Sequence, residues 1–262
     1  MSETIMRVLV LGGTSEASEL ARRLCDDNRF KLTLSLAGRT SAPLAQPISP
    51  RVGGFGGAEG LADWLAAEGI EAIVDATHPF AARISANAVD AARRAALPLA
   101  TLLRPPWEEH EGDIWTRVGN AEAAAAALGD APKRVFLTIG RQEVGAFRQA
   151  PQHAYVIRAI DPPEDNDLPP SSEIILRRGP FTERDEIALM RARAIDVLVA
   201  KNSGADATYA KIAAARELGL PVVMIDQPHK PSATIVTDIE AACAWLNALV
   251  EAHSATPSER GV

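Results

Sequence analysis

Val8-Leu9-Val10-Leu11-Gly12-Gly13-Thr14-Ser15-Glu16-Ala17 is the stretch on which the fold turns. An apolar run of strand length ends in a glycine pair, and a helical pattern opens directly behind it, with Ala17, Leu20, Ala21 and Leu24 recurring at helix spacing. A strand feeding a helix through glycines opens a parallel α/β unit, and the bend between them suits a diphosphate. The glycines let a backbone approach the anion, and the free N–H groups at the helix start favour negative charge. Thr14 and Ser15 carry hydroxyls that can cap the helix or touch phosphate. The match to G-x-G-x-x-G/A is imperfect, because Thr14 stands where the second glycine belongs while Ala17 satisfies the third.

Outward from that stretch, the same alternation continues. The first strand spans about 7–11 and its helix runs to about Asp27. A strand follows at 31–37, a helix at 58–68, a strand at 72–76, a helix at 80–96 and a strand at 99–103. Residues 104–119, rich in proline, tryptophan and charge, read as an irregular excursion before an alanine-rich helix at 121–128. Gly129-Asp130-Ala131-Pro132 reads as a domain boundary, since a fresh strand begins at Arg134. The second half offers strands at 134–139, 154–159, 173–176, 196–200 and 222–225, with helices at 183–194, 208–218 and 238–251. The expected fold class is α/β, two Rossmann-like domains with mostly parallel sheets and a cleft between them. The expected bounds are 1–130 for nucleotide, 131–253 for substrate, and 254–262 as a disordered tail.

Composition narrows the classes of function. A net charge of −7 and no Lys/Arg cluster argue against nucleic acid. The longest apolar runs are far below a membrane span, and the first residues lack a secretory pattern. Cys25 and Cys243, far apart in helical patterns, read as buried reduced thiols of a cytoplasmic protein, with no metal site expected.

Several strand ends carry residues suited to ligands. After the second strand stand Gly38, Arg39 and Thr40, where an NAD site usually places a carboxylate. A carboxylate would repel a ribose 2'-phosphate, whereas Arg39 can bond it, so NADPH is favoured over NADH. Gly53-Gly54-Phe55-Gly56-Gly57 is a second glycine cluster on the same presumed edge, read equally as a ligand approach or a tight loop. Asp75-Ala76-Thr77-His78-Pro79-Phe80 ends the next strand, where α/β crevices form. Pro79 suits a first helical turn and Thr77 its cap. His78 then faces the crevice, or packs as a structural histidine.

Taken in order, these motifs resemble the precorrin-6A reductase family of cobalamin biosynthesis. The resemblance rests on Gly12 to Ala17, Asp75 to Ala81 with Ile84 and Asn87-Ala88, Arg104-Pro105 with Trp107, and Thr138-Ile139-Gly140. It continues through Gly179-Pro180-Phe181 and Lys201-Asn202-Ser203-Gly204 with Thr208 and Lys211, over about residues 6 to 250. The chain departs from the family at Asp226-Gln227-Pro228-His229, where an Arg-Pro pair is common. The resemblance implies a two-domain oxidoreductase that reduces precorrin-6A to precorrin-6B with NADPH held by the N-terminal domain, and transfer to or from other cobalamin-pathway enzymes.

A corrin precursor is an apolar ring fringed by carboxylates, so its site needs an apolar surface rimmed by Arg, Lys and N–H groups. Arg104, Trp107, Gly140, Arg141, Gly179, Pro180, Phe181, Lys201, Asn202, Ser203 and Gly204 are the substrate candidates. Trp107 serves either as a flat contact face or as a loop anchor. Gly12, Gly13, Thr14, Ser15, Glu16, Ala17, Gly38, Arg39, Thr40, Thr77, His78 and Pro79 are the cofactor candidates. For the chemistry, His78 is the candidate for assisting protonation, and Lys201 for holding a substrate carboxylate. Alternatives are a tetrapyrrole-binding lyase without redox cofactor and an NADPH-sensing binding protein. A short-chain dehydrogenase is disfavoured because neither Tyr155 nor Tyr209 heads a Tyr-x-x-x-Lys pair.

Overall fold

The computed structural model describes residues 5–38, 45–231 and 234–255. In chain order the elements are β1 (Met6–Leu11), α1 (Ser15–Leu24), β2 (Phe30–Leu36), β3 (Arg51–Val52), α2 (Gly57–Glu68), β4 (Ala72–Asp75), α3 (Ala82–Ala95) and β5 (Leu99–Leu102). They continue as β6 (Trp115–Val118), α4 (Ala121–Ala127), β7 (Arg134–Thr138), a 3-10 segment (Arg141–Gln149), β8 (Ala154–Ala159) and β9 (Ser172–Leu176). The chain closes with α5 (Glu183–Ala192), β10 (Val197–Lys201), α6 (Ala210–Glu217), β11 (Val222–Ile225), β12 (Thr234–Val236) and α7 (Ile239–Ala255).

Two six-stranded sheets result, β3-β2-β1-β4-β5-β12 and β9-β8-β7-β10-β11-β6. Every strand pair described is parallel. Parallel sheets are covered on both faces, and the central strands show why these sequences choose that state. In β1, Val8 and Val10 pack with Leu20, Leu24 and Leu246 on one side. Leu9 and Leu11 pack with Leu61, Leu65, Ile73 and Ala92 on the other. The period-two alternation of a strand thus feeds two cores at once, which only a continuous apolar run can do.

In the first sheet the chain steps from β1 outward to β2 and β3, then returns to place β4 on β1's other flank. The carboxyl ends of β1 and β4 therefore diverge into loops on opposite sides, the switch point where α/β sheets bind ligands. The second sheet repeats the plan, with β7 and β10 flanking its switch point.

The sheets are built from discontinuous sequence. One compact unit comprises residues 1–104 and 229–262, the other 105–228. This corrects the expected boundary at Gly129–Pro132, which is only the turn between α4 and β7 inside the second unit. The expected irregular excursion contains β6, and its pairing with β11 (Trp115↔Val222 through Val118↔Ile225) assigns it to the second sheet. β6 is half exposed and has no local hairpin partner to announce it; its strand partner lies about a hundred residues away. Likewise β12 pairs with β5, and α7 lays Leu246 into the first unit's core. The chain end also differs from expectation, since α7 runs through Ala255; residues 256–262 lie outside the described residues. Both cysteines are half-buried rather than buried.

Candidate functional site

At the first unit's switch point, Thr14 explains how the glycine motif tolerates a threonine. Its extended backbone caps α1, Oγ1 accepting the Ala17 N–H at 3.1 Å, while the same hydroxyl donates to Ala76 O at 2.8 Å. The side chain is therefore spent on joining the two switch-point loops. Gly13 holds φ +114 and is exposed, and a Cβ built there meets nothing within 4 Å. Gly12 differs: its Cβ would come to 2.8 Å from Leu34 Cδ1, so this glycine serves packing of helix on sheet. Ala17, at the third motif position, is wholly buried. An open, left-handed glycine ahead of a capped helix N-terminus is a fit for a dinucleotide diphosphate, which approaches where a side chain would otherwise stand.

The electrostatics of that bend involve Arg104. Its guanidinium pairs with Glu16 Oε1 at 2.6 Å, in the first turn of α1. Burial, the largest influence on Glu16, pushes its carboxyl up, but Arg104 and hydrogen bonds from Glu16's own backbone, Arg104 and Ser15 outweigh it and leave the pKa lowered. Arg104, a substrate candidate in the sequence, thus stands beside the glycine bend. Ser15 is exposed and bonds Glu16 Oε2 at 3.1 Å. Gly38 follows β2 at φ +69. Arg39 and Thr40 lie outside the described residues.

The loop after β4 departs from expectation at Thr77. It does not cap α3, whose cap residue is Ala81; Thr77 Oγ1 instead donates to the buried Asp75 Oδ1 at 2.6 Å. Lys230 completes this cluster, its Nζ 3.0 Å from Thr77 Oγ1 and 3.4 Å from Asp75 Oδ2. His78 is exposed, and its Nδ1 accepts the Phe80 N–H at 3.2 Å. An accepting Nδ1 assigns the neutral ring's proton to Nε2. Pro79 is buried.

The second glycine cluster is organised by Arg51, which the sequence reading passed over. Its guanidinium donates to Gly53 O at 2.6 Å and Gly54 O at 2.8 Å, and lies 3.8 Å from the Phe55 ring centre. The loop leads into α2 through Gly56 (φ 80) and Gly57 (φ 98). An arginine shortly before a Gly-Gly pair with Phe and Trp following was the available signal.

In the second unit, Gly140-Arg141 and Lys201 to Gly204 meet at the β7/β10 switch point, as the parallel register requires. Lys201 holds Glu143 at 2.7 Å, so it already grips one of the chain's own carboxylates. Asn202 is wholly buried and clamps Trp107, accepting from its N at 2.6 Å and donating to its O at 2.9 Å. Trp107 is 9% exposed and belongs to the core, which favours the loop-anchor reading over the flat contact face. Ser203 is buried, and Gly204 takes φ +66. The Gly179-Pro180-Phe181 turn contains a cis Gly179–Pro180 peptide, and the Phe181 ring centre lies 3.8 Å from the Arg158 guanidinium; a Cβ at Gly179 would come to 3.2 Å from the Phe181 ring.

Under these loops lies a buried charge cluster that no local pattern announced. Arg158 is paired with Glu186, and both are buried. Lys211, also buried, donates to Thr208 O at 2.8 Å and stands 5.0 Å from the Trp107 ring. Burial first and Arg158 second push its pKa down to about 7, against Glu186.

The family model described as precorrin-6x reductase CbiJ/CobK matches residues 7–247. The chain belongs to this family. A precorrin-6A reductase of a Sinorhizobium species is 57% identical over 86% of this chain and 86% of its own length. The precorrin-6A reductase of Rhodobacter capsulatus is 48% identical over 98% of this chain and 99% of its own. Family members named cobalt-precorrin-6A reductase stand further off, the one from Priestia megaterium at 30% identity over 89% of this chain and 95% of its own. A solved structure, CobK precorrin-6A reductase, superposes with a TM-score of 0.88 at 48% identity, covering 98% of this chain and 100% of that one. Family membership makes this chain a reductase of cobalamin biosynthesis working with a redox cofactor. Among the described residues no helix is long and apolar enough to cross a membrane.

Proposed function

We propose that this chain reduces precorrin-6A to precorrin-6B with NADPH. The observation that carries the reading is the open Gly13 bend at the β1/β4 switch point, in a chain whose relatives are named precorrin-6A reductases. NADPH, when bound, supplies a hydride to a carbon of the macrocycle. The protein's share is alignment, exclusion of water and a proton for the neighbouring carbon.

Gly13 and the amino end of α1 hold the diphosphate, with Gly12 and Thr14 fixing the bend and Ser15, Glu16 and Ala17 completing it. Gly38, Arg39 and Thr40 follow the second strand, and Arg39 provides the charge that selects a 2'-phosphate. Thr77, His78 and Pro79 border the same edge. His78 assists protonation directly or by ordering a water, a contribution of about 10²–10⁴-fold in rate. In the second unit, Arg141, Lys201 and the turn at Gly204 bind substrate carboxylates, with Gly140 and Gly179 to Phe181 shaping the edge. Asn202 and Trp107 act behind that edge as its support. Because Glu143 occupies Lys201, a substrate carboxylate must compete with it.

The test is anaerobic incubation of the purified protein with precorrin-6A and either NADPH or NADH, following the absorbance of macrocycle and coenzyme. Coupled loss of NADPH and precorrin-6A is expected, faster than with NADH. Absence of turnover with either coenzyme would overturn the proposal; equal rates would overturn the role of Arg39.

A further inference from the structure

Lys230 is the second residue of the segment that re-enters the first unit, and its side chain is completely buried. The ammonium touches Thr77 Oγ1, Thr77 O and Asp75 Oδ2, at 3.0, 3.4 and 3.4 Å. Asp75 Oδ1 accepts from both N and Oγ1 of Thr77, so the turn after β4 closes around one carboxylate and one lysine. Burial, then opposed by Asp75, pulls the lysine's pKa down, and the nearby charge of Arg104 acts in the same direction as burial. Removing one partner of such a buried pair strands the other in a medium that solvates it poorly.

This cluster is contiguous with the glycine bend. Ala76, between Asp75 and Thr77, accepts the Thr14 hydroxyl, and Thr14 caps α1. Arg104, the last residue before the chain leaves the unit, grips Glu16 in the same helix turn. Exit and re-entry are therefore both fastened to one bend, each by a cation.

We infer that Lys230 is a positioning residue of the cofactor site, holding the Asp75–Thr77 turn, and through Ala76 and Thr14 the Gly13 bend, in the shape that accepts the NADPH diphosphate. The inference rests on the cofactor reading above. A lysine serving only to stabilise the unit would behave differently. Lys230→Met strands the Asp75 carboxylate, and Asp75→Asn removes that penalty without restoring the contacts to Thr77.

The test compares wild type, Lys230→Met and the double variant Asp75→Asn/Lys230→Met, by titration of NADPH fluorescence and by melting without ligand. Lys230→Met is expected to lower Tm and to raise the NADPH Kd by about tenfold or more, a loss on the scale of one charge-assisted hydrogen bond. The double variant recovers most of the Tm and keeps the raised Kd. A double variant that recovers both, or a Lys230→Met protein binding as wild type does, overturns the inference while leaving the cofactor reading intact. A wild type that fails to bind NADPH overturns both. Should Lys230→Met not fold, Lys230→Arg carries the same test: raised Kd at wild-type Tm supports the role, and both unchanged overturns it.

Discussion

Replacing Gly13 by alanine separates the bend's conformation from its ligand. Its φ of +114 is a conformation that residues with a Cβ rarely adopt, while the space where that Cβ would stand is open. The folded protein therefore incurs backbone strain alone, about 1–3 kcal/mol, with no steric clash added. At about 2–4 °C per kcal/mol for a domain of this size, Tm falls by roughly 2–12 °C. Under the proposed function the cofactor meets the methyl group directly. Loss of one close amide–phosphate hydrogen bond, about 1.5–3 kcal/mol, raises the NADPH Kd by roughly ten- to a hundredfold. Gly12→Ala is the control: its Cβ, 2.8 Å from Leu34 Cδ1, disturbs packing and lowers Tm but faces away from the open side of the bend. Fluorescence titration and differential scanning read the two quantities separately. If Gly13→Ala melts early yet binds NADPH with wild-type affinity, the bend does not carry the diphosphate.

Other expectations follow from single contacts. His78→Ala lowers kcat by about 10²-fold or more with little change in NADPH Kd, and full turnover at saturating substrates would remove His78 from the chemistry. Lys201→Ala raises the precorrin KM more than it alters NADPH affinity, whereas Glu143→Gln, which removes the lysine's carboxylate partner, lowers that KM; opposite shifts would reassign the pair. Lys211 is held to about 7 by burial and then by Arg158. The unfolded chain keeps its proton there until about pH 10, so between roughly pH 7 and 10 it binds more protons than the folded chain and stability rises with pH. Urea unfolding across that range is steeper in wild type than in Lys211→Met, and identical slopes would count against a depressed lysine.

What the sequence made legible follows from what is local. β1, the glycine bend and α1 declare themselves because one contiguous stretch supplies the strand, the open φ and the cap. The same holds for β11, whose continuous apolar run Val222–Ile225 suits a strand buried on both faces. β3, β6 and β12 went unread because they are two to four residues long and gain their stability from neighbours distant in the chain. The unit boundary failed for the same reason, as a Gly-Asp-Ala-Pro turn looks alike whether it joins domains or elements. Within the site, a cap from Thr14 or Ser15 was legible and Thr14 supplies it, but its bond to Ala76 was invisible, since it joins residues separated by two helices and three strands. Lys230 carries no local signature at all. A lysine beside histidine and proline resembles a surface turn until the fold folds it beneath β4.

The interrupted first unit has a consequence for biogenesis. A ribosome delivers β1 to β5 early, yet the strand and helix that cover their open flank, β12 and α7, emerge only after the whole second unit. The uninterrupted later segment is then able to close on itself first, reversing the usual amino-to-carboxyl order of domain completion. Until β12 and α7 emerge, the first unit exposes the β5 edge and the apolar seat of Leu246 to chaperones and to neighbouring nascent chains.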